Sequence, residues 1–161
     1  MATVLDVAAS ILEKMAPREP GGITTWKLQK LVYYGQAWSL VWDDTPLFAD
    51  EIQAWANGPV VPALYEQHRG SFKIERLGVG DASRLTDQEL ETVDAVIEHY
   101  GKYTPKYLSD LTHEEAPWNI AREGLDPGER GNRVITLDSL AEYYGGLYAS
   151  RTTEQGAGQQ S

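Results

Sequence analysis

Lys27-Leu28-Gln29-Lys30-Leu31-Val32-Tyr33-Tyr34 carries the reading of the whole chain. Leu28, Leu31, Val32, Trp38 and Val41 recur with a period of about 3.6 residues, which predicts a helix with one apolar face. Lys27, Gln29 and Lys30 fill the other, polar positions. Thr24 and Thr25 offer N-caps, and Asp43-Asp44-Thr45-Pro46 ends the segment. Gly35 sits inside the pattern at a cost of about 1 kcal/mol relative to Ala, which a close helix–helix approach would justify.

Toward the N-terminus, Thr3 with Asp6 three residues on predicts a capped helix, and Leu5, Ala8, Ile11, Leu12 and Met15 line its apolar face. Pro17, Pro20, Gly21 and Gly22 end it. Toward the C-terminus, Leu47-Phe48 and Glu51 to Trp55 suggest a hairpin or two short extended pieces. Asn57-Gly58-Pro59 reads as a turn, with Pro59 suited to the first turn of a helix through Val60, Val61, Leu64 and Tyr65. Gly70 closes that helix, and Ser71 to Leu77 alternates like a strand. Thr86-x-x-Glu89 is a capping box opening a helix with Leu90, Val93, Val96, Ile97 and Tyr100 inward. Thr104-Pro105 starts another. The chain breaks over 112–118, a short helix runs to Glu123, and 124–132 is a loop. Val134-Ile135 is extended, and Thr136 caps a last helix with Leu137, Leu140 and Tyr144 inward. The expected fold is mainly α: a compact bundle of about six helices with short inserted strands. It occupies residues 1–150, followed by a flexible polar tail at 151–161.

The 161 residues, 42% hydrophobic, suffice for one domain with its own core. With no cysteine, there is no disulfide, thiol nucleophile or zinc–thiolate site. No apolar run is long enough to span a bilayer, and Met1-Ala2-Thr3 does not start a signal peptide. A cytoplasmic protein without membrane contact is expected. The net charge of −10 argues against nucleic-acid binding, which rests on phosphate neutralisation, and suits a basic partner.

Chemistry-bearing motifs are sparse. His68, His99 and His113 have no metal-ligand spacing, and Gly78-Val79-Gly80 lacks the third glycine of a dinucleotide loop. No metal or cofactor is expected. His113 with Glu114 is the candidate acid/base pair of a hydrolase reading, and a Ser/His/Asp site assembled from distant positions stays open. Two features stand out. Asp87, Glu91, Asp94 and Glu98 fall on one helical stripe, either solvated or a partner-binding face. Five Trp and nine Tyr supply core, with Trp38, Tyr100 and Tyr144 facing in, and potential interface anchors.

The opening octapeptide resembles the "KLQKLLYY" helix of the Panacea antitoxin domain. The likeness continues in order through Pro46-Leu47-Phe48, Ile52-Gln53-Ala54-Trp55 and Gly58-Pro59-Val60-Val61-Pro62-x-x-Tyr65, then Leu111-Thr112-His113 with Pro117-Trp118. It covers about residues 3–148. The resemblance implies a non-enzymatic, SocA-like antitoxin that binds a cognate toxin encoded nearby, including toxins that block translation by modifying tRNA. It also implies an alternative, an adaptor delivering the toxin to a Clp-type protease. Motif position and charge nominate Asp87, Glu91, Asp94, Glu98, Trp26, Tyr65 and His113 for partner binding. Gly58, Pro59 and Trp118 are assigned to the scaffold: Gly58-Pro59 as a strand-to-helix turn and Trp118 as an anchor beside a helix break. His113 has a second reading, capping or bonding a neighbouring helix end.

Overall fold

The structure, a computed structural model, describes residues 2–160, with side chains through Thr152. Its elements run α1 (Val4–Met15), β1 (Ile23–Thr24), α2 (Thr25–Trp42), β2 (Ile52–Trp55), β3 (Gly58–Val60) and α3 (Pro62–His68). They continue with β4 (Lys73–Ile74), a 3-10 turn (Ala82–Arg84), α4 (Asp87–Tyr100), α5 (Pro105–Glu114), α6 (Ala116–Ala121), β5 (Val134–Ile135) and α7 (Leu137–Gln160). The architecture is mainly helical, with two small antiparallel sheets, β1-β4 and β3-β2-β5. α7 is helical across the boundary expected at residue 150, and the side chains of the expected tail beyond Thr152 lie outside the described residues.

Caps fall where the sequence places them. Thr3 and Thr86 form reciprocal capping boxes with Asp6 and Glu89. Thr24 and Thr104 cap α2 and α5 through the amides of Lys27 and Tyr107. Each such side chain satisfies an amide that has no partner within its own helix.

α2 lies at the centre, packed by α1, α4, α5 and α7. The polar positions between the apolar ones are enclosed too: Lys27, Gln29 and Lys30 are all buried. Over residues 27–39 the helix is covered on every side and has no solvent face to give its polar residues, so each needs a partner inside. Lys27 Nζ donates to Glu19 Oε2 at 2.8 Å and to the Gly101 carbonyl at 2.7 Å. The amides of Leu47 and Phe48 donate to Gln36 Oε1 at 2.7 and 3.2 Å, while Gln36 Nε2 donates to the Phe48 carbonyl at 2.8 Å. Gln36 thus holds the segment after α2 without a strand, so Leu47-Phe48 takes no part in a hairpin. A Cβ on Gly35 would lie 3.1 Å from Leu47 Cδ2, so the close neighbour is this loop rather than a second helix.

A buried tyrosine cluster closes the core. Tyr34 and Tyr144 hydroxyls both donate to Glu115 Oε1, at 2.6 and 2.9 Å, and Tyr33 and Tyr144 hydroxyls lie 3.0 Å apart. Glu115 is the joint between α5 and α6. Burial raises its carboxyl above the usual range, and the two hydroxyl donors offset this only in part. Trp38 Nε1 donates to Tyr100 Oη at 2.8 Å, and Tyr100 stacks on Tyr34. Leu140 and Tyr144 face in as expected, but Leu137 does not: at the first turn of α7 it is exposed.

The hairpin is β2–β3, with Ala54 opposite Pro59 and Trp55 opposite Gly58. Gly58 and Pro59 are therefore strand residues rather than a strand-to-helix turn. Pro59 is tolerated because β3 is an edge strand. Pro62, not Pro59, takes the first helical position of α3, behind Val61. Gly58 has φ +128°, and a Cβ there would lie 2.7 Å from Lys30 Cε.

Candidate partner-binding surfaces

The start of α2 and the segment after α3 are fastened together. The Thr25 amide donates to the Phe72 carbonyl at 3.0 Å, and the Thr25 hydroxyl donates to the Ser71 carbonyl at 3.2 Å. This places Phe72, 73% exposed, beside Trp26, 39% exposed. With Tyr65 of α3 they line one concavity of about 280 Å³. Tyr65 meets Trp55 edge-on, with ring centroids 5.0 Å apart.

The floor of this concavity is rigid. Gln29 Oε1 accepts from the Val61 amide at 2.9 Å, and Gln29 Nε2 lies 2.9 Å from His68 Nε2. With the amide as donor, that imidazole nitrogen is an acceptor and the ring is neutral. Burial, which pushes the His68 pKa down, agrees. Behind Trp26, the Lys30 ammonium lies 5.3 Å from the indole centroid and donates to the Pro59 carbonyl at 3.3 Å. No carboxylate pairs with it among the described residues. Burial alone brings its pKa down to about 7.

His113 does not reach this surface. Its ring stacks on Trp118 at 4.2 Å, and its Nε2 is buried without a hydrogen-bond partner. Burial and then the Lys30 charge lower its pKa. No hydrogen bond joins it to Glu114 among the described residues, so the two do not form an acid/base pair there. Its backbone carbonyl, rather than its ring, accepts from Asn119 Nδ2 at 2.8 Å. Trp118 is buried; its indole N–H donates to the Trp55 carbonyl at 2.8 Å and ties α6 to the sheet. The Arg122 guanidinium lies 5.2 Å from the same ring.

The four carboxylates of α4 form a separate, exposed face. Asp94 pairs with Lys14 at 2.5 Å and Glu98 with Arg18 at 2.7 Å, so α1 and its C-terminal extension neutralise half of the stripe. Asp87 and Glu91 have no ion pair among the described residues. The structure thus joins Trp26 with Tyr65, leaves His113 behind them and holds the acidic stripe apart. Sequence reasoning missed Phe72, which it read as part of a strand. The observed strand is only Lys73–Ile74, and no local signal marks Phe72 as exposed.

Residues 28–119 match the family described as antitoxin SocA-like, Panacea domain. The chain belongs to this family of antitoxins, which points to a non-enzymatic regulatory role with a toxin as the general partner. No curated protein and no solved structure matches the chain. No helix among the described residues is long and apolar enough to cross a membrane.

Proposed function

We propose that this protein neutralises its toxin by direct contact and that the concavity of Trp26, Tyr65 and Phe72 is the principal contact. The observation that carries this reading is the match of residues 28–119 to an antitoxin family, the matched stretch including Tyr65 and Phe72. Exposed aromatic rings on a rigid floor are the features that anchor protein interfaces. A toxin acting on tRNA offers a basic substrate surface, and Asp87 and Glu91, the unpaired part of the α4 stripe, compete there with the natural ligand.

Co-expression with the adjacent reading frame tests the reading. Growth rescue together with a co-purifying complex is expected. A folded Trp26→Ala/Phe72→Ala variant then loses at least about tenfold in affinity. Wild-type binding by that variant removes the aromatic face from the interface. Rescue without a complex favours delivery of the toxin to a Clp-type protease instead. Asp87→Lys/Glu91→Lys with unchanged affinity and salt dependence reduces the stripe to solvation.

A further inference from the structure

A second, larger depression of about 470 Å³ lies between α2, α4 and α7 and shares no lining residue with the Trp26 concavity. Trp42 stacks on Trp38, with centroids 5.1 Å apart and planes 24° apart, while Tyr148 meets Trp38 edge-on at 6.4 Å. Trp42 is 40% and Tyr148 48% exposed. Both rings stand against Trp38 and line the depression while half-exposed to solvent. These are flat, rigid surfaces, suited to a planar ring.

Two cations line the depression, Lys102 and Arg151, and neither has a carboxylate within ion-pair distance among the described residues. The Lys102 ammonium lies 5.3 Å from the Tyr103 ring centroid. The one lining acid, Glu98, is held by Arg18 at 2.7 Å. Both cations act on the same place: after burial, the charges of Arg151 and Lys102 are what lower the pKa of His99, which lies in the same wall. A chain of net charge −10 therefore has a locally positive aromatic groove.

Stacking faces with unpaired cations beside them select a planar ring carrying an anion. The volume lies in the range of small-molecule sites, roughly 300–1,000 Å³. A nucleic-acid strand brings many phosphates against an acidic surface and is repelled, whereas one phosphate needs only the two local cations. An extended peptide gains little from two separate ring faces.

We propose that this groove is a nucleotide site, in which a nucleoside monophosphate stacks its base on Trp42 and Tyr148 and sets its phosphate on Lys102 and Arg151. The site is independent of the toxin-binding reading. The test is calorimetry and tryptophan fluorescence on the full chain with AMP and GMP, with adenosine and inorganic phosphate as controls. Saturable binding that quenches fluorescence and weakens with salt is expected. Trp42→Ala and Lys102→Gln/Arg151→Gln are each expected to weaken it about tenfold. The latter pair alters exposed side chains that make no hydrogen bond among the described residues, so it keeps the fold if Trp42→Ala does not. No saturable binding of either nucleotide up to about 5 mM, equivalent to less than about 3 kcal/mol of binding, overturns the proposal. So does unchanged affinity in the Lys102→Gln/Arg151→Gln variant, or adenosine binding as tightly as AMP.

Discussion

α2 and α4 look alike as sequences and behave differently as helices. Each follows a helical apolar period with charged residues between, and each starts at a threonine cap. In α4 the intervening Asp87, Glu91, Asp94 and Glu98 are exposed. In α2 the intervening Lys27, Gln29, Lys30 and Gln36 are buried. A polar side chain on α4 faces water and can be changed at small cost; the same kind of residue on α2 holds other segments in place. The difference comes from the number of neighbours around each helix, not from the residue types.

The sharpest way to break this comparison is Gln36→Ala. It strands the amides of Leu47 and Phe48 and the Phe48 carbonyl, so a loss of about 3–5 kcal/mol in urea unfolding is expected. A loss near that of a surface change would show that the loop is not held by α2.

Lys30→Met goes the other way. The folded protein holds Lys30 at a pKa of about 7, below the ordinary lysine value of 10.5. Between these limits the unfolded chain binds more protons, so wild-type stability rises with pH across that window. Below it, the buried charge is a standing penalty. Lys30→Met is expected to gain about 1–4 kcal/mol at pH 6 and to flatten that rise. Urea titrations from pH 6 to 10 measure both effects.

Glu115 has the opposite sign. Its folded pKa is raised, so the folded state binds more protons and stability falls as pH rises above the ordinary glutamate value of 4.5 toward the folded pKa. Glu115→Gln keeps an acceptor for Tyr34 and Tyr144 and is expected to remove this slope. A slope that persists assigns it to another group.

On α4 the effects shrink. Thr86→Ala removes a capping-box hydroxyl and should cost about 1 kcal/mol. Asp94→Asn breaks a surface pair with Lys14 and should cost no more than about 0.5 kcal/mol, vanishing in high salt. Thermal melts with and without salt separate the two. A large effect at Asp94 would mean that α4 is held to α1 by charge rather than by Val93, Val96 and Ile97.

Helix starts were legible because a cap is a local event: Thr3 with Asp6, and Thr86 with Glu89, meet within one turn. The exposed side of α4 was legible because one covered face suffices to generate its pattern. The Gly58-Pro59 strand was not, because its pairing with Ala54 and Trp55 competes with an equally plausible proline-started helix. At the proposed contact surface, Trp26 and Tyr65 were named from the sequence. Phe72, which lines the same concavity, was not. It arrives there through a hydrogen bond to Thr25, far away along the chain. The burial of Lys30 went unread for the same reason that Trp42 and Tyr148 went unremarked: the covering or facing element is distant in sequence.

The sequence by itself determined the helices, their caps, the acidic stripe and the family. The first three depend on neighbours within about four residues, where spacing and residue type suffice, and the family on the order of motifs along the chain. Tertiary structure alone decided that α2 is central, that Lys30 is buried without a counter-ion, and that Tyr34 and Tyr144 share one carboxyl. It also decided which aromatic rings face solvent together. Burial and pairing are set by whichever segment packs alongside, and no local pattern encodes that segment's identity.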